Sequence, residues 1–149
     1  MSKDITINLN DKSITYLKNN DQILSGIIDK IGPFTYTLYD DYFEFLVFTI
    51  IGQMLSNTVG DILFEKLVEK CSGQVSAKAI EKLFVEEVME IGVSKRKANA
   101  IKELALRFIK DKNYLYDLRN ESEETVINLI SEIHGVGPWT AKMFLIFAL

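Results

Sequence analysis

The stretch His134-Gly135-Val136-Gly137-Pro138-Trp139-Thr140-Ala141 constrains this chain more than any other. Before it, residues 121–133 carry Val126, Ile127, Leu129, Ile130 and Ile133 at helical spacing and predict an amphipathic helix. After it, residues 139–149 are almost entirely apolar and predict a second helix. Two glycines and a proline separate the two. Glycine reaches backbone conformations closed to other residues, and proline suits the first helical position, where its missing N–H is no loss. The result is a tight helix–hairpin–helix. The second helix opens with free N–H groups and a partial positive charge, a natural seat for a phosphate. Gly135 and Gly137 are small enough to let a nucleic-acid backbone approach. An αα-hairpin that only turns the chain satisfies the glycine pattern equally well.

The 149 residues suffice for one domain with a real core, or two small lobes. The net charge of −4 argues against a protein that coats nucleic acid through bulk charge, though not against a local basic patch. A single cysteine, Cys71, excludes an internal disulfide and suits a reducing interior. One histidine and one cysteine cannot make a usual zinc site, and no cofactor is expected. Residues 43–55 are apolar but carry Glu44 and Gln53, so they are too short and too polar to span a bilayer. The N-terminus has no basic-then-apolar signal pattern, so no membrane association is expected and the cytoplasm is the expected compartment.

Taken in order, Ile5, Ile7 and Leu9 alternate with polar residues and suggest an extended segment, followed by a brief helix over residues 11–18. Asp21 is a good cap for a helix with Ile23, Leu24, Ile27, Ile28 and Ile31 on one face, stopped by Gly32-Pro33. Residues 34–39 read as an extended connector. Asp40 or Asp41 caps a helix from Tyr42 to about Leu55, apolar on most sides (Phe45, Leu46, Phe48, Ile50, Ile51) and therefore central. Asn57 or Ser56 caps the next, with Val59, Ile62, Leu63, Leu67 and Val68 inward. Residues 77–84 and 85–91 form two short helices. Ser94 then caps a helix to about Ile109, with Ile101, Leu104, Ala105 and Phe108 inward. Lys95, Arg96 and Lys97 stand in its first turn, where cations oppose the helix dipole, which suggests either an external anion or a solvated surface turn. Asn120 with Glu123 resembles a capping box for the penultimate helix. The whole reads as all-α, one domain over residues 1–149, with about eight helices on short turns and the helix–hairpin–helix element at residues 121–149.

Three blocks in this order resemble the helix–hairpin–helix DNA glycosylase superfamily, most nearly its 3-methyladenine DNA glycosylase II type. They are the buried helix running into Gly52-Gln53-Met54-Leu55-Ser56, the segment Ile91-Gly92-Val93-Ser94-Lys95-Arg96-Lys97-Ala98, and the hairpin from Ile133 to Met143. The resemblance covers residues 21–149. His134 stands where the family usually has proline before the first hairpin glycine, and reads as a partly exposed loop residue rather than a base.

The resemblance implies DNA base-excision repair of alkylated purines by a DNA N-glycosylase, a hydrolase acting on double-stranded DNA with a damaged base. Such an enzyme flips a nucleotide out of the stack, holds the backbone, plugs the gap and recognises the base. It implies DNA contacts at Gln53, Met54, Ser56, Lys95, Arg96, Lys97, Gly135, Val136, Gly137, Thr140 and Lys142. Backbone amides near Gly135, Gly137 and Trp139 would hold phosphates. Met54 stands at the wedge position, where a flexible apolar side chain slides between bases; a core methionine is the competing reading. Trp139 occupies the position of the Schiff-base lysine of lyase-competent relatives, which implies a monofunctional enzyme using water. Trp139 and Met143, four apart on one helical face, are the candidate base pocket, because an aromatic face suits a cationic purine. A monovalent cation at the hairpin carbonyls Ile133 and Gly135 is also implied.

The family's catalytic aspartate lies beyond the second hairpin helix, and no residue up to Leu149 matches it. The sequence therefore reads as an incomplete glycosylase, lacking the C-terminal helices, with no catalytic residue of its own and little base release expected. Two other readings stay open. One is a non-catalytic DNA-binding module. The other is an assembly-competent fragment that pairs, as a homodimer or swapped assembly, through the apolar run Phe144-Leu145-Ile146-Phe147-Ala148-Leu149.

Overall fold

A computed structural model describes residues 3–149. The chain forms two compact units, one ending at Asp40 and the other Asp41–Leu149. In the smaller unit, β1 (Lys3–Ile7) pairs antiparallel with β2 (Phe34–Leu38), with Ile5 opposite Tyr36 and Ile7 opposite Phe34. The alternation at residues 5–9 predicts an extended segment but not its partner, which lies 27 or more residues away. Thr6 and Thr35 share a hydroxyl hydrogen bond across the ladder (2.9 Å), and Thr37 Oγ1 donates to Asp4 (2.6 Å).

Between the strands lie α1 (Lys12–Asn20) and α2 (Gln22–Ile31). Asp21 caps α2 by accepting from the Leu24 N–H (2.9 Å), and Gly32 ends it at φ +73°. The sequence places five apolar residues of α2 on one inward face, and only part of that face is covered. Leu24 and Ile28 are half-buried, while Ile23 (80% exposed), Ile27 and Ile31 face out. None of residues 3–40 is fully buried, because two short helices on a two-stranded ribbon have too few layers to enclose a side chain.

The larger unit is built round α3 (Tyr42–Gly52). Asp41 caps it (Glu44 N–H to Oδ1, 2.9 Å). Tyr42, Phe43, Phe45, Leu46, Val47, Thr49, Ile50 and Ile51 are all buried, as expected of a helix apolar on most sides. Thr49 satisfies its hydroxyl on the Phe45 carbonyl (2.8 Å). Tyr42 stacks on Tyr116 (4.8 Å), meets the edge of Phe144 (5.4 Å), and accepts a hydrogen bond from Arg119 Nε.

Around it follow α4 (Asn57–Lys70), α5 (Ala77–Lys82), α6 (Val85–Met89), α7 (Lys95–Lys110), a 3-10 turn at Asp117–Asn120, α8 (Glu123–Ser131) and α9 (Pro138–Phe147). Ser56, Ser76 and Ser94 cap α4, α5 and α7. The cap of α8 is Ser122, accepting from Thr125 N–H (3.2 Å), rather than Asn120, because the 3-10 turn already holds Asn120. On α4, Leu67 is buried but Val59 and Ile62 are exposed, so the inward face predicted there is narrower than its apolar content. The fold is all-α but for the small ribbon.

The apolar C-terminal run is largely covered. Phe144 and Ala148 are buried, Leu145, Phe147 and Leu149 are half-buried, and Ile146 alone of residues 144–149 is exposed. Helix α9 packs on both α8 and α3, which covers more than one stripe of it.

Because α3 is enclosed, Leu46→Ala should destabilise the protein by about 2–5 kcal/mol. Ile23→Ala, at an exposed position, should stay within about 0.5 kcal/mol of the parent. Urea unfolding of both variants checks the contrast.

Candidate nucleic-acid interface

The site is assembled where the end of α3, the start of α7 and the α8–α9 hairpin meet. The hairpin turns through Ile133–Val136 (Val136 N–H to Ile133 carbonyl, 2.9 Å), and Ile133 and Val136 bury their side chains as its pins. Gly135 has φ +90°, and a Cβ there would lie 3.0 Å from Arg96 Cγ, so this position admits glycine for two reasons. Gly137 is different. Its backbone is extended (φ −108°, ψ 175°) and a Cβ would enter open space, so neither turn geometry nor packing demands glycine there.

Gly137 is also the N-cap of α9, with Pro138 in the first position. Asp21, Asp41, Ser56, Ser76, Ser94 and Ser122 each close a helix N-terminus with a side-chain acceptor. Gly137 has no such group, so the first amides of α9 have no side-chain acceptor. They border a cleft of about 330 Å³ lined by Gln53, Met54, Arg96, Gly135, Gly137, Trp139 and Thr140. Among these lining residues there is no carboxylate.

Across the cleft, α3 ends in a sharp turn. Met54 adopts φ +58°, the left-handed region, and its side chain is fully exposed (101%). The conformation costs a non-glycine residue on the order of 1–2 kcal/mol, and no packing of the side chain offsets it. Trp139 is also exposed (59%) and lines the same cleft. Met143 is half-buried and does not line it.

Gln53 ties the two walls together. Its Nε2 donates to Thr140 Oγ1 (3.0 Å) and, more weakly, to the Gly135 carbonyl (3.4 Å). Thr140 is buried (1% exposed), so Gln53 satisfies a hydroxyl that water cannot reach. Ser56 Oγ is engaged as the cap of α4. Val136 is a core side chain.

The basic triplet divides. Lys95 and Arg96 are exposed, and the Arg96 stem runs along Gly135. Lys97 turns inward, donating to the carbonyls of Ile51 (2.8 Å) and Gln53 (2.7 Å). Burial, and then Arg96 beside it, hold its ammonium below the ordinary lysine pKa. Reading all three as surface phosphate contacts therefore needs correction: Lys97 sits on the carbonyl end of α3, where the helix dipole welcomes a cation. Lys142 is exposed on α9.

A second anchor escapes sequence reasoning. Glu103 on α7 accepts from the His134 backbone N–H (3.0 Å). Arg107, one turn on, bridges Glu103 (2.9 Å), Glu132 (3.2 Å) and the Glu132 carbonyl (3.3 Å). The i,i+4 spacing of Glu103 and Arg107 is visible in sequence, but the hairpin as their target is not. The implied cation site has two carbonyls. The Ile133 oxygen accepts from Val136, and the Gly135 oxygen has the long bond from Gln53, so each keeps a lone pair.

Helical bundle and hairpin together form a fold shared with solved 3-methyladenine DNA glycosylases. A DNA-3-methyladenine glycosidase from Bacillus halodurans superposes with a TM-score of 0.81 at 23% identity, over 97% of this chain and 67% of that one. The Schizosaccharomyces pombe 3-methyladenine DNA glycosylase Mag1, in complex with abasic DNA, matches with a TM-score of 0.65 at 26% identity, over 72% of this chain and 54% of that one. A DNA-3-methyladenine glycosylase of Saccharomyces cerevisiae is 42% identical over 40 residues, and that match spans 27% of this chain and 14% of the yeast protein. No protein-family model matches the chain. Among the described residues no helix is long and apolar enough to cross a membrane.

Gly135→Ala should cost about 1–2 kcal/mol through its positive φ, with the Arg96 contact adding to it, whereas Gly137→Ala should stay within about 0.5 kcal/mol of the parent. Gln53→Met strands the Thr140 hydroxyl and should cost about 1–3 kcal/mol, part of which Thr140→Val in the same chain should restore. Denaturant midpoints measure all four.

Proposed function

We propose that this chain acts in DNA base-excision repair as a monofunctional glycosylase-type protein directed at alkylated purines of the 3-methyladenine kind. The observation that carries the proposal is one cleft bordered by the uncapped N-terminus of α9, an exposed Met54 and an exposed Trp139. The similar Mag1 protein, solved in complex with abasic DNA, supports reading this chain as one that binds DNA.

Each part has a task. The amides at the start of α9 bind a phosphate without reading sequence. Lys95, Arg96 and Lys142, all exposed, add positive charge for the DNA backbone in a protein whose net charge is −4. Met54 enters the stack and fills the space of a flipped nucleotide. Trp139 offers its face to a cationic base, and its indole, having no amine, leaves water as the nucleophile. A monovalent cation on the free lone pairs of the Ile133 and Gly135 carbonyls would add to the positive field at the phosphate. Residues 1–149 are proposed to act together as one functional chain.

Cleaving the glycosidic bond builds positive charge on the sugar, which carboxylates stabilise in comparable reactions. The cleft lining contains none, so base release by these 149 residues alone is proposed to be slow while DNA binding is intact. Self-association finds little surface at the C-terminus, where Ile146 is the one exposed residue of 144–149.

Gly137→Val is the direct test. Its backbone is extended and a Cβ there meets nothing within 4 Å, so the variant should fold with at most a modest loss at the helix N-cap, but the branched side chain stands where the phosphate must come. Binding to an abasic-analogue duplex should weaken about 10–100-fold, the worth of one charge-assisted hydrogen bond or two weaker ones. Unchanged affinity in the folded variant rules the hairpin out as the anchor. In a parallel assay, brisk 3-methyladenine release from alkylated DNA would contradict the slow-release proposal.

A further inference from the structure

We propose that Lys97 is a positioning residue for Met54: it clamps the turn at the end of α3 in the shape that presents the Met54 side chain to DNA. The proposal rests on the reading of Met54 as the group that enters the stack. Lys97 Nζ bonds the carbonyls of Ile51 and Gln53, which bracket the turn immediately before Met54. Met54 itself is in the left-handed region with a wholly exposed side chain, so its own packing does not hold it there. A non-glycine residue persists in that region only where its surroundings over-determine it. Here the surroundings are two polar anchors on Gln53: its carbonyl held by Lys97, its amide held by Thr140 and Gly135.

Lysine suits the task better than arginine. A compact ammonium on a flexible stem can point separate donors at two carbonyls of one helix end, whereas a guanidinium fork favours a planar pair of acceptors. The side chains of the neighbours Lys95 and Arg96 make no hydrogen bond or ion pair among the described residues. The triplet thus supplies two outward charges and one inward clamp. Withdrawal of the Lys97 amine from water agrees with its lowered pKa.

The test uses the whole chain with Lys97→Met, Lys97→Arg, Met54→Ala and the Lys97→Met/Met54→Ala double variant. Without DNA, Lys97→Met should move the backbone amide and Cα resonances of Gln53, Met54 and Thr140, and Lys97→Arg should restore them in part. Unmoved resonances overturn the clamp. With DNA, Lys97→Met should lose preference for a tetrahydrofuran abasic-analogue duplex over the intact duplex by the same factor as Met54→Ala, and the double variant should lose no more. The slope of log affinity against log salt should stay at the parent value. A slope reduced by about 0.9, with both duplexes weakened alike, would make Lys97 a phosphate contact instead and overturn the proposal. Should Lys97→Met fail to fold, reductive methylation of the parent decides: Lys97 must react far more slowly than Lys95, and equal rates overturn the clamp. A parent chain with no preference for the abasic analogue defeats the reading of Met54 alone, and the resonances then still decide whether Lys97 shapes the turn.

Discussion

The larger unit depends on the withdrawal of most of α3 from water. A helix apolar on almost every side is stable only inside a shell of other helices, and here α4, α7 and α9 supply it. Burial creates a debt at the C-terminal end, where the last carbonyls lose both intrahelical partners and solvent. Lys97 Nζ meets two of these oxygens, Ile51 and Gln53. Lys102 does the same for α5, donating to the carbonyls of Ile80, Glu81 and Leu83. Both lysines come from α7, so this helix holds the ends of two others.

The cleft inherits its geometry from that solution. With the end of α3 held, the Gln53 side chain reaches the buried Thr140 hydroxyl and the hairpin carbonyl of Gly135. The hairpin is gripped again from α7, by Glu103 on the His134 amide and by Arg107 on the end of α8. It is therefore fixed at both shoulders while the first amides of α9 stay open. An anion-binding N-terminus needs such rigidity, because free donors lower the energy of an incoming phosphate only if they need no rearrangement to meet it.

Charge follows the same division. The chain is acidic overall, yet Lys95, Arg96 and Lys142 are exposed. Arg96 lies against Gly135, which has no side chain to hold it off. The glycine pair of the hairpin thus serves two ends: Gly135 makes the turn and admits Arg96, and Gly137 leaves the approach to α9 clear.

By itself the sequence determined the helical class, the order of the elements and most helix starts, because apolar spacing and Ser or Asp caps are local signals. Asp21, Asp41, Ser56, Ser76 and Ser94 are read from neighbours within four residues. The burial of α3 was legible for the same reason, as was the hairpin with Pro138 at the head of α9. What tertiary structure decided lies in contacts far apart along the chain. The pairing of β1 with β2, the covering of the C-terminal run by α8 and α3, and the grip of Glu103 on His134 carry no local mark. Lys95, Arg96 and Lys97 look alike in sequence, and successive residues of a helix point about 100° apart, so only packing could say which one faced α3. Met54 is the sharpest instance. An apolar residue after an apolar helix fits the core as well as the surface, and it was the left-handed turn held at the Ile51 and Gln53 carbonyls that put its side chain in solvent.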